Sequence, residues 1–408
     1  MRKINTDNFR IATQSTSREI NRRIALNVIR EHQPISRADL ARRMNVTRGV
    51  VTTLVNELIE QDLICEGAIG ESLRGRKPTF LHVRTKDRLV VAIDVRFSST
   101  YLMLSDFSGR QIALEIFETV FDRSKFIKDI AYRVKRMIKT HNAKDSCEGL
   151  GLVVPGMVDY KTGRILNAPA LGWRNVDLRD ELAAATGLTV HIENAARAFA
   201  MAEMWLGNNN ASNAQSFVQV SVSDGVAVSV VVEGELLRGH SHIAGEFGHV
   251  CLSLDGPPCM CGSNGCWEAY ISNLATLSRY FGRDLFNIST KHLREVQENS
   301  FTVPDLIARA RAGDSKALTA ILSTGRFVGL GLVSIVHGIN PEFICISGEI
   351  TAAWDLIEDA VREALAERAL TEAAANTPIK IASSVEYPRL RGAAALIAAP
   401  TFAAPRVA

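Results

Sequence analysis

The sequence predicts an α/β protein, with an N-terminal winged helix-turn-helix followed by a body of two α/β lobes facing each other across a cleft. Three observations carry this reading. Residues 1–88 read as three helices and two short strands around a basic tip. From Leu89 the texture changes to apolar, β-rich runs. In that second part, a strand meander followed by helices occurs twice. The 408 residues, 47% hydrophobic and 22% charged, suit a globular chain with more than one core. The expected units are 1–88, then 89–195 completed by a C-terminal helix over 385–405, and 196–384.

In the first unit, "REINRRIALNVIREHQ" places Ile20, Ile24, Val28 and Ile29 near helical spacing, and Pro34 ends the run. Ser36 can N-cap a second helix, "RADLARRM", with Asp39 in the capping-box position. After the short turn "MNV", Thr47 can cap a third helix whose buried stripe is Val51, Leu54, Val55 and Leu58. This leaves Thr47, Arg48, Thr52 and Thr53 at the exposed start of the helix, where a recognition helix meets base edges in the major groove. The strands that follow flank "RGRKP", a wing tip whose Arg76 and Lys77 can lie along a minor groove or a phosphate run. Three-helix units also mediate protein contacts, but the turn spacing, the Thr/Arg set and the basic wing together favour double-stranded DNA.

The body opens with "LVVAIDVRFSSTYLMLSDFSGRQIALEIF", read as three strands with Asp94 closing the first. The helix "KFIKDIAYRVKRMIKTH" and the buried strand "GLGLVVPGMVD" follow. A second β block begins at Ser216, and a late buried strand, "EFICISGE", lies beyond further helices.

Charge is unevenly placed. Residues 1–89 hold 17 Lys+Arg against 10 Asp+Glu, a local excess of +7 within a chain of net +3. A basic end on a mildly acidic body suits a polyanion-binding module, although a solvated surface can give the same balance. The polar start, "MRKINTDNFRIATQST", lacks the apolar core of a secretory signal. No uninterrupted apolar run reaches a membrane span, the Pro-interrupted tail "GAAALIAAPTFAA" coming nearest, so no membrane role and a cytoplasmic location are expected.

Four of the seven cysteines crowd together, and an odd total argues against a disulfide framework. His249, Cys259, Cys261 and Cys266 make a Cys₃His set, the donor chemistry of a closed structural Zn²⁺ site, with Gly262 and Gly265 allowing a tight wrap. Unliganded buried cysteines are the alternative reading of the same residues. Cys251 is expected in the core.

The series "VPGMVD…LNAPALGW…IENAARAFAMAEMW…AGEFGHV…CMCGSNGCWE…NPEFICISGE" resembles the ROK family of repressors, open reading frames and sugar kinases, and the winged module resembles its repressor branch. The likeness runs from about Leu89 to the C-terminus. It implies a two-lobed actin-like, ribonuclease-H-like body holding sugar between the lobes, and it strengthens the zinc assignment. Carried over residue by residue, it implies sugar contacts from Asn194, Glu246, His249 and Glu268, with His249 also a zinc ligand. One departure stands out: Ala170 replaces an Asn common in the kinases.

Kinases of the family resemble "ENDAN" where this chain has "ENAAR", so Ala195 stands at the catalytic base, and loss of a base costs roughly 10²–10⁴ in rate. Their glycine-rich phosphate loop is here "DVRFSST", with Arg96, Phe97 and Ser98. The second loop, "SDGVAVS", keeps only Gly225, and the third reads "SGEIT". The expectation is therefore a non-enzymatic, sugar-responsive transcriptional regulator, in the main a repressor of carbohydrate-metabolism genes. Its expected partners are a DNA operator, a sugar or sugar phosphate effector, and further copies of the chain as a homodimer or homotetramer. Two other readings stay open: a kinase of residual activity, and a ligand-blind repressor controlled by a protein partner.

Overall fold

The computed structural model describes residues 13–69, 79–206, 214–282, 301–382 and 387–403. Helix α1 (Gln14–His32) starts earlier than its apolar periodicity suggests, because Thr13 and Thr16 form a reciprocal capping box. Its buried face is also displaced. Ala25, Leu26 and Ile29 are fully buried, whereas Ile24 is 45% exposed. After β1 (Ile35–Ser36), the Ser36 hydroxyl caps α2 (Arg37–Met44) by accepting from the Asp39 N–H at 3.1 Å. The Asp39 carboxylate returns to the Ser36 hydroxyl at 2.6 Å, so the expected box is replaced by a side-chain pair. Asn45 closes α2 in the left-handed region, and α3 (Arg48–Glu60) buries Val51, Leu54, Val55 and Leu58 as expected. Strands β2 (Ile64–Ile69) and β3 (Thr79–Val83) complete a sheet of order β1-β3-β2. The wing-tip residues Arg76 and Lys77 lie outside the described residues.

The first body sheet begins with the antiparallel meander β4 (Leu89–Val95), β5 (Ser99–Asp106) and β6 (Gln111–Glu118). Helix α4 (Arg123–Thr140), capped by Asp122, carries the chain to β7 (Cys147–Val154), which pairs parallel with β4. A small sheet of β8 (Met157–Asp159), β9 (Arg164–Ala168) and β10 (Trp173–Asp177) intervenes. Helix α5 (Leu178–Thr186) then leads to β11 (Val190–Asn194), parallel to β7, and the main sheet has the order β11-β7-β4-β5-β6. Helix α6 (Ala195–Leu206) leaves directly from the end of β11.

The second body sheet repeats the plan. The meander β12 (Phe217–Val222), β13 (Val226–Val232) and β14 (Glu235–Leu236) precedes α7 (Glu268–Ile271), α8 (Asn273–Phe281), α9 (Val303–Arg311) and α10 (Ser315–Ile339). Strand β15 (Phe343–Gly348) returns parallel to β12. Helices α11 (Trp354–Ala366) and α12 (Glu372–Ala375) lead to β16 (Ile379–Ile381), giving the order β14-β13-β12-β15-β16. Helix α13 (Pro388–Phe402) then crosses back to the first sheet. A Cβ on Gly151 of β7 would lie 1.8 Å from the Ala393 carbonyl oxygen, so only glycine lets α13 lie this close.

Helix α10, not the tail, is the segment long and apolar enough to cross a membrane by length and composition. The sequence expectation missed it because Lys316 and Arg326 interrupt the apolar run. It packs as a core helix, since a Cβ on Gly331 would stand 2.0 Å from the Trp267 ring and one on Gly329 would stand 2.2 Å from the Val361 carbonyl.

The N-terminal module docks on the body through α1. Arg23 donates to the carbonyls of Pro400, at 2.6 Å, and Thr401, while Asn27 donates to Phe402 O at 2.8 Å. These are carbonyls that the end of α13 leaves without intrahelical partners. Arg30 lies over the rings of Trp205, at the far end of α6, and Phe402, at 5.3 and 4.7 Å. The cores of the module and the first sheet are thereby continuous, with Leu26 and Ile29 in one cluster with Val90 and Ala393.

Candidate ligand cleft and metal centre

Open α/β sheets place their ligands at the carboxyl ends of the parallel strands. In the first sheet Asp94, Val153 and Glu193 are in register, so Asp94 and Asn194 border the same edge. In the second, β12 and β15 end beside Asp224 and Glu349.

Between β14 and α7 the chain wraps a compact loop. His249 closes a single 3₁₀ turn (Phe247–His249), while Cys259, Cys261 and Cys266 come from the turns before Trp267. Their four ligand atoms lie within 4.8 Å of one another. Cys259 Sγ is 3.7 Å from His249 Nδ1, and Cys261 Sγ is 3.6 Å from Cys266 Sγ. A tetrahedron with metal–sulfur bonds near 2.3 Å has edges of about 3.5–3.8 Å, so the donor set fits a metal ion. The Cys261 thiol is drawn down to about 7, because hydrogen bonds from Ser263 and the neighbouring thiols outweigh burial. Burial pushes the Cys259 and Cys266 thiols the other way, so of the three only Cys261 is drawn toward the thiolate a metal requires. Gly265 makes the wrap possible, since its φ is +68° and a Cβ would lie 1.7 Å from Ser253 O. Cys251 is not core: it is exposed, bridged to Cys266 in a short antiparallel contact, with Sγ 3.7 Å from Asn264 O. The tight loop turns it outward.

The residues expected to meet sugar converge around this loop. His249 presents Nδ1 to the cysteines and Nε2 to Glu246, 4.0 Å away. Glu268 opens α7, two residues after Cys266. It accepts from the Val226 N–H at 2.8 Å, over Gly225, where a Cβ would come within 3.0 Å of the carboxylate. Burial pushes the Glu246 carboxyl up and Glu268 adds to this, while His249 and Arg197 pull it down. Asn194 has a structural duty as well. Its Oδ1 accepts from the Ala196 N–H at 2.8 Å, capping α6, and its Nδ2 donates to Gly156 O in the Pro-Gly loop.

Sequence reasoning missed the clamp beside them. Glu193 is fully buried and holds two arginines, with Arg197 Nη1 at 3.5 Å and Arg238 Nη2 at 3.0 Å. Arg197 also donates to His242 O at 2.6 Å and Ala244 O at 3.4 Å, in the loop that delivers Glu246. Arg238 lies 4.2 Å over the Tyr160 ring, and His242 Nε2 approaches Asp159 at 3.3 Å. The two halves of the body are thus fastened across the cleft. Glu193 and Arg197 stand four apart in the sequence, the one local hint available.

At the turn between β4 and β5, the Arg96 N–H donates to Ser99 O at 3.1 Å, making a tight hairpin tip. The Arg96 side chain folds onto buried Asp94 at 2.7 Å and over Tyr101 at 4.2 Å, while Arg389 reaches Asp94 at 3.1 Å. In the N-terminal module, Thr47, Arg48, Thr52 and Thr53 are all exposed at the start of α3. Thr47 occupies the cap position without a side-chain cap bond, whereas Thr52 and Thr53 bond back to Arg48 O and Gly49 O.

The ROK family profile matches residues 91–399. The chain belongs to the ROK family. A MarR family profile matches residues 20–67, which agrees with the winged N-terminal module. The xylose repressor of Bacillus subtilis is 29% identical over 364 residues, covering 89% of this chain and 90% of its own. The crystal structure of a ROK family transcriptional regulator, a homologue of the Escherichia coli MLC protein, superposes with a TM-score of 0.79. It is 24% identical and covers 95% of this chain and 97% of its own, a likeness of fold. The ROK hexokinase of Thermus thermophilus is 28% identical with a TM-score of 0.59, and it covers 75% of this chain and 96% of its own. ROK relatives therefore include both repressors and kinases, and the likeness to the repressors extends into the N-terminal module.

Proposed function

We propose that this ROK chain is a sugar-responsive, DNA-binding transcriptional repressor of the cytoplasm, with a structural Zn²⁺ held by His249, Cys259, Cys261 and Cys266. In this reading Asn194, Glu246, His249 and Glu268 contact the sugar. Thr47, Arg48, Thr52 and Thr53 contact DNA, together with Arg76 and Lys77 of the wing. The functional units are 1–88, 89–195 with the C-terminal helix, and 196–384. The observation that carries the proposal is the course of α6. It starts directly after its cap Asn194, and its last turn carries Trp205 beneath Arg30 of the N-terminal module. A change in lobe closure that moves α6 moves the module, and in a dimer it alters the fit of two recognition helices to half-sites about one helical turn apart.

Operator affinity measured by fluorescence anisotropy at fixed salt, with and without pentoses and hexoses, tests this reading. A change in Kd of at least about fivefold with one sugar is expected, a coupling of about 1 kcal/mol. If no sugar changes Kd while DNA binding is intact, control by a protein partner replaces it. Zinc content per chain by atomic emission and mass by light scattering test the metal and the dimer.

A kinase reading is disfavoured by Ala195, which cannot take a proton, and by Arg96 filling the hairpin tip over Asp94. Turnover by the unmodified chain in a coupled ADP assay would overturn the non-enzymatic assignment.

A further inference from the structure

The cleft is rich in hydrogen-bond acceptors, and its arginines are already taken. Among the described residues, the nearest basic side chain to Glu246 is the imidazole of His249, 4.0 Å away. Glu268 accepts the Val226 N–H on Oε2, at 2.8 Å, and its Oε1 faces Cys259 Sγ at 3.6 Å. Beyond them, Asp224 and Glu349 end the strands of the second sheet, and burial together with Glu349 holds the Asp224 carboxyl up. Asn273 bridges to Glu349 at 3.0 Å, and its own Oδ1, buried, has no partner.

Positive charge is present but committed. Arg197 and Arg238 are ion-paired with buried Glu193, and Arg96 and Arg389 with buried Asp94, while Arg238 Nε and His242 Nδ1 are buried without a hydrogen-bond partner. Arg197 also serves two carbonyls, and Arg238 and Arg96 each cover a tyrosine ring. A divalent ion within three thiolates leaves the metal centre with a net negative charge, so it offers no cation either.

From this arrangement we infer that the effector is an uncharged sugar and that its phosphate ester is excluded, an inference that rests on the sugar-response reading above. A sugar hydroxyl donates as well as accepts, so it satisfies Glu246 and Glu268. A phosphate is an acceptor only, with a charge of about −1.5 to −2 at neutral pH. Placed here it faces carboxylates with nothing to donate, and recruiting an arginine would strip the partner from buried Glu193 or Asp94.

Titration calorimetry on the full metal-loaded chain at pH 7.5 tests this with D-xylose against D-xylose 5-phosphate and D-glucose against D-glucose 6-phosphate. One free sugar is expected to bind, and its ester to bind at least about 100-fold more weakly. An ester that binds as tightly as its free sugar, or that binds alone, overturns the inference and leaves the sugar-response reading standing. If neither form binds while operator binding is intact, the sugar-response reading itself fails and the inference goes with it. The paired substitution Asp224→Asn and Glu349→Gln separates charge from shape. It is expected to narrow the gap by at least about fivefold, and an unchanged gap refutes exclusion by charge.

Discussion

Replacing Arg197 by alanine removes the centre of the cross-cleft clamp. Its side chain is 6% accessible and that of Glu193 is 1% accessible, so the substitution leaves a buried carboxylate with Arg238, at 3.0 Å, as its one remaining ion-pair partner and the Asn194 N–H, at 2.9 Å, as a backbone donor. Breaking a buried pair from one side costs about 3–5 kcal/mol, and the surviving Arg238 places this case near the lower end. His242 O and Ala244 O lose a charged donor as well, but their loop is partly solvated and adds less than the usual 1.5–3 kcal/mol for such bonds. A loss of about 3 kcal/mol is expected, read as a lower urea midpoint at unchanged slope. Sugar affinity should fall too, because the loosened loop carries Glu246. Removing Glu193 together with Arg197, as Glu193→Gln with Arg197→Ala, should cost clearly less than the sum of the two single losses. A single-variant loss below about 1 kcal/mol, or strict additivity in the pair, would refute the clamp.

Other consequences are as definite. Arg30→Ala removes contacts to both Trp205 and Phe402, worth about 1–3 kcal/mol in all, so the ratio of operator Kd with and without sugar should collapse toward unity. Stripping the metal with a chelator should expose the thiols of Cys259, Cys261 and Cys266 to Ellman's reagent and lower the melting temperature, and Cys266→Ser should reproduce the melting change. Asp159 is held below the ordinary carboxylate range, because bonds from Thr162 and the Lys161 N–H and the proximity of His242 outweigh burial. Its contribution to stability is therefore complete above the unfolded value near 4 and is lost as pH falls through the lower folded value. The stability difference between wild type and Asp159→Asn should accordingly be present at pH 6 and shrink progressively as the pH falls below the ordinary carboxylate range.

Much of this molecule is legible in its sequence, because much of it is set by short-range physics. The stripe Val51, Leu54, Val55 and Leu58 buries as its spacing demands, since a helix has one period whatever it packs against. The Cys₃His set assembles because its three cysteines lie within eight residues on glycine-bent turns. Asn194 and Glu268 stand at strand and helix ends, where a local motif already places them. Family likeness added the pairing of lobes, which composition alone leaves open.

What the sequence could not determine depends on neighbours far along the chain. Which face of α1 is buried depends on every element that meets it: α2, α3 and β3 within the module, and α13 some 375 residues away, whose free carbonyls take Arg23 and Asn27 while Ile24 stays in solvent. Arg197 looks in sequence like a lost amide. In the fold it is a buried cation, because Glu193 and the carbonyls of His242 and Ala244 meet it from two sides of the cleft. Arg96 reads as an obstruction to a phosphate loop, and only the tertiary structure shows it pairing, with Arg389, to Asp94 Oδ2, while Oδ1 stays buried without a partner. Periodicity, caps and ligand spacing are properties of one segment and can be read from it. The partner of a buried charge is settled only when distant segments pack and water is excluded, and in this protein that pairing sets the character of the cleft.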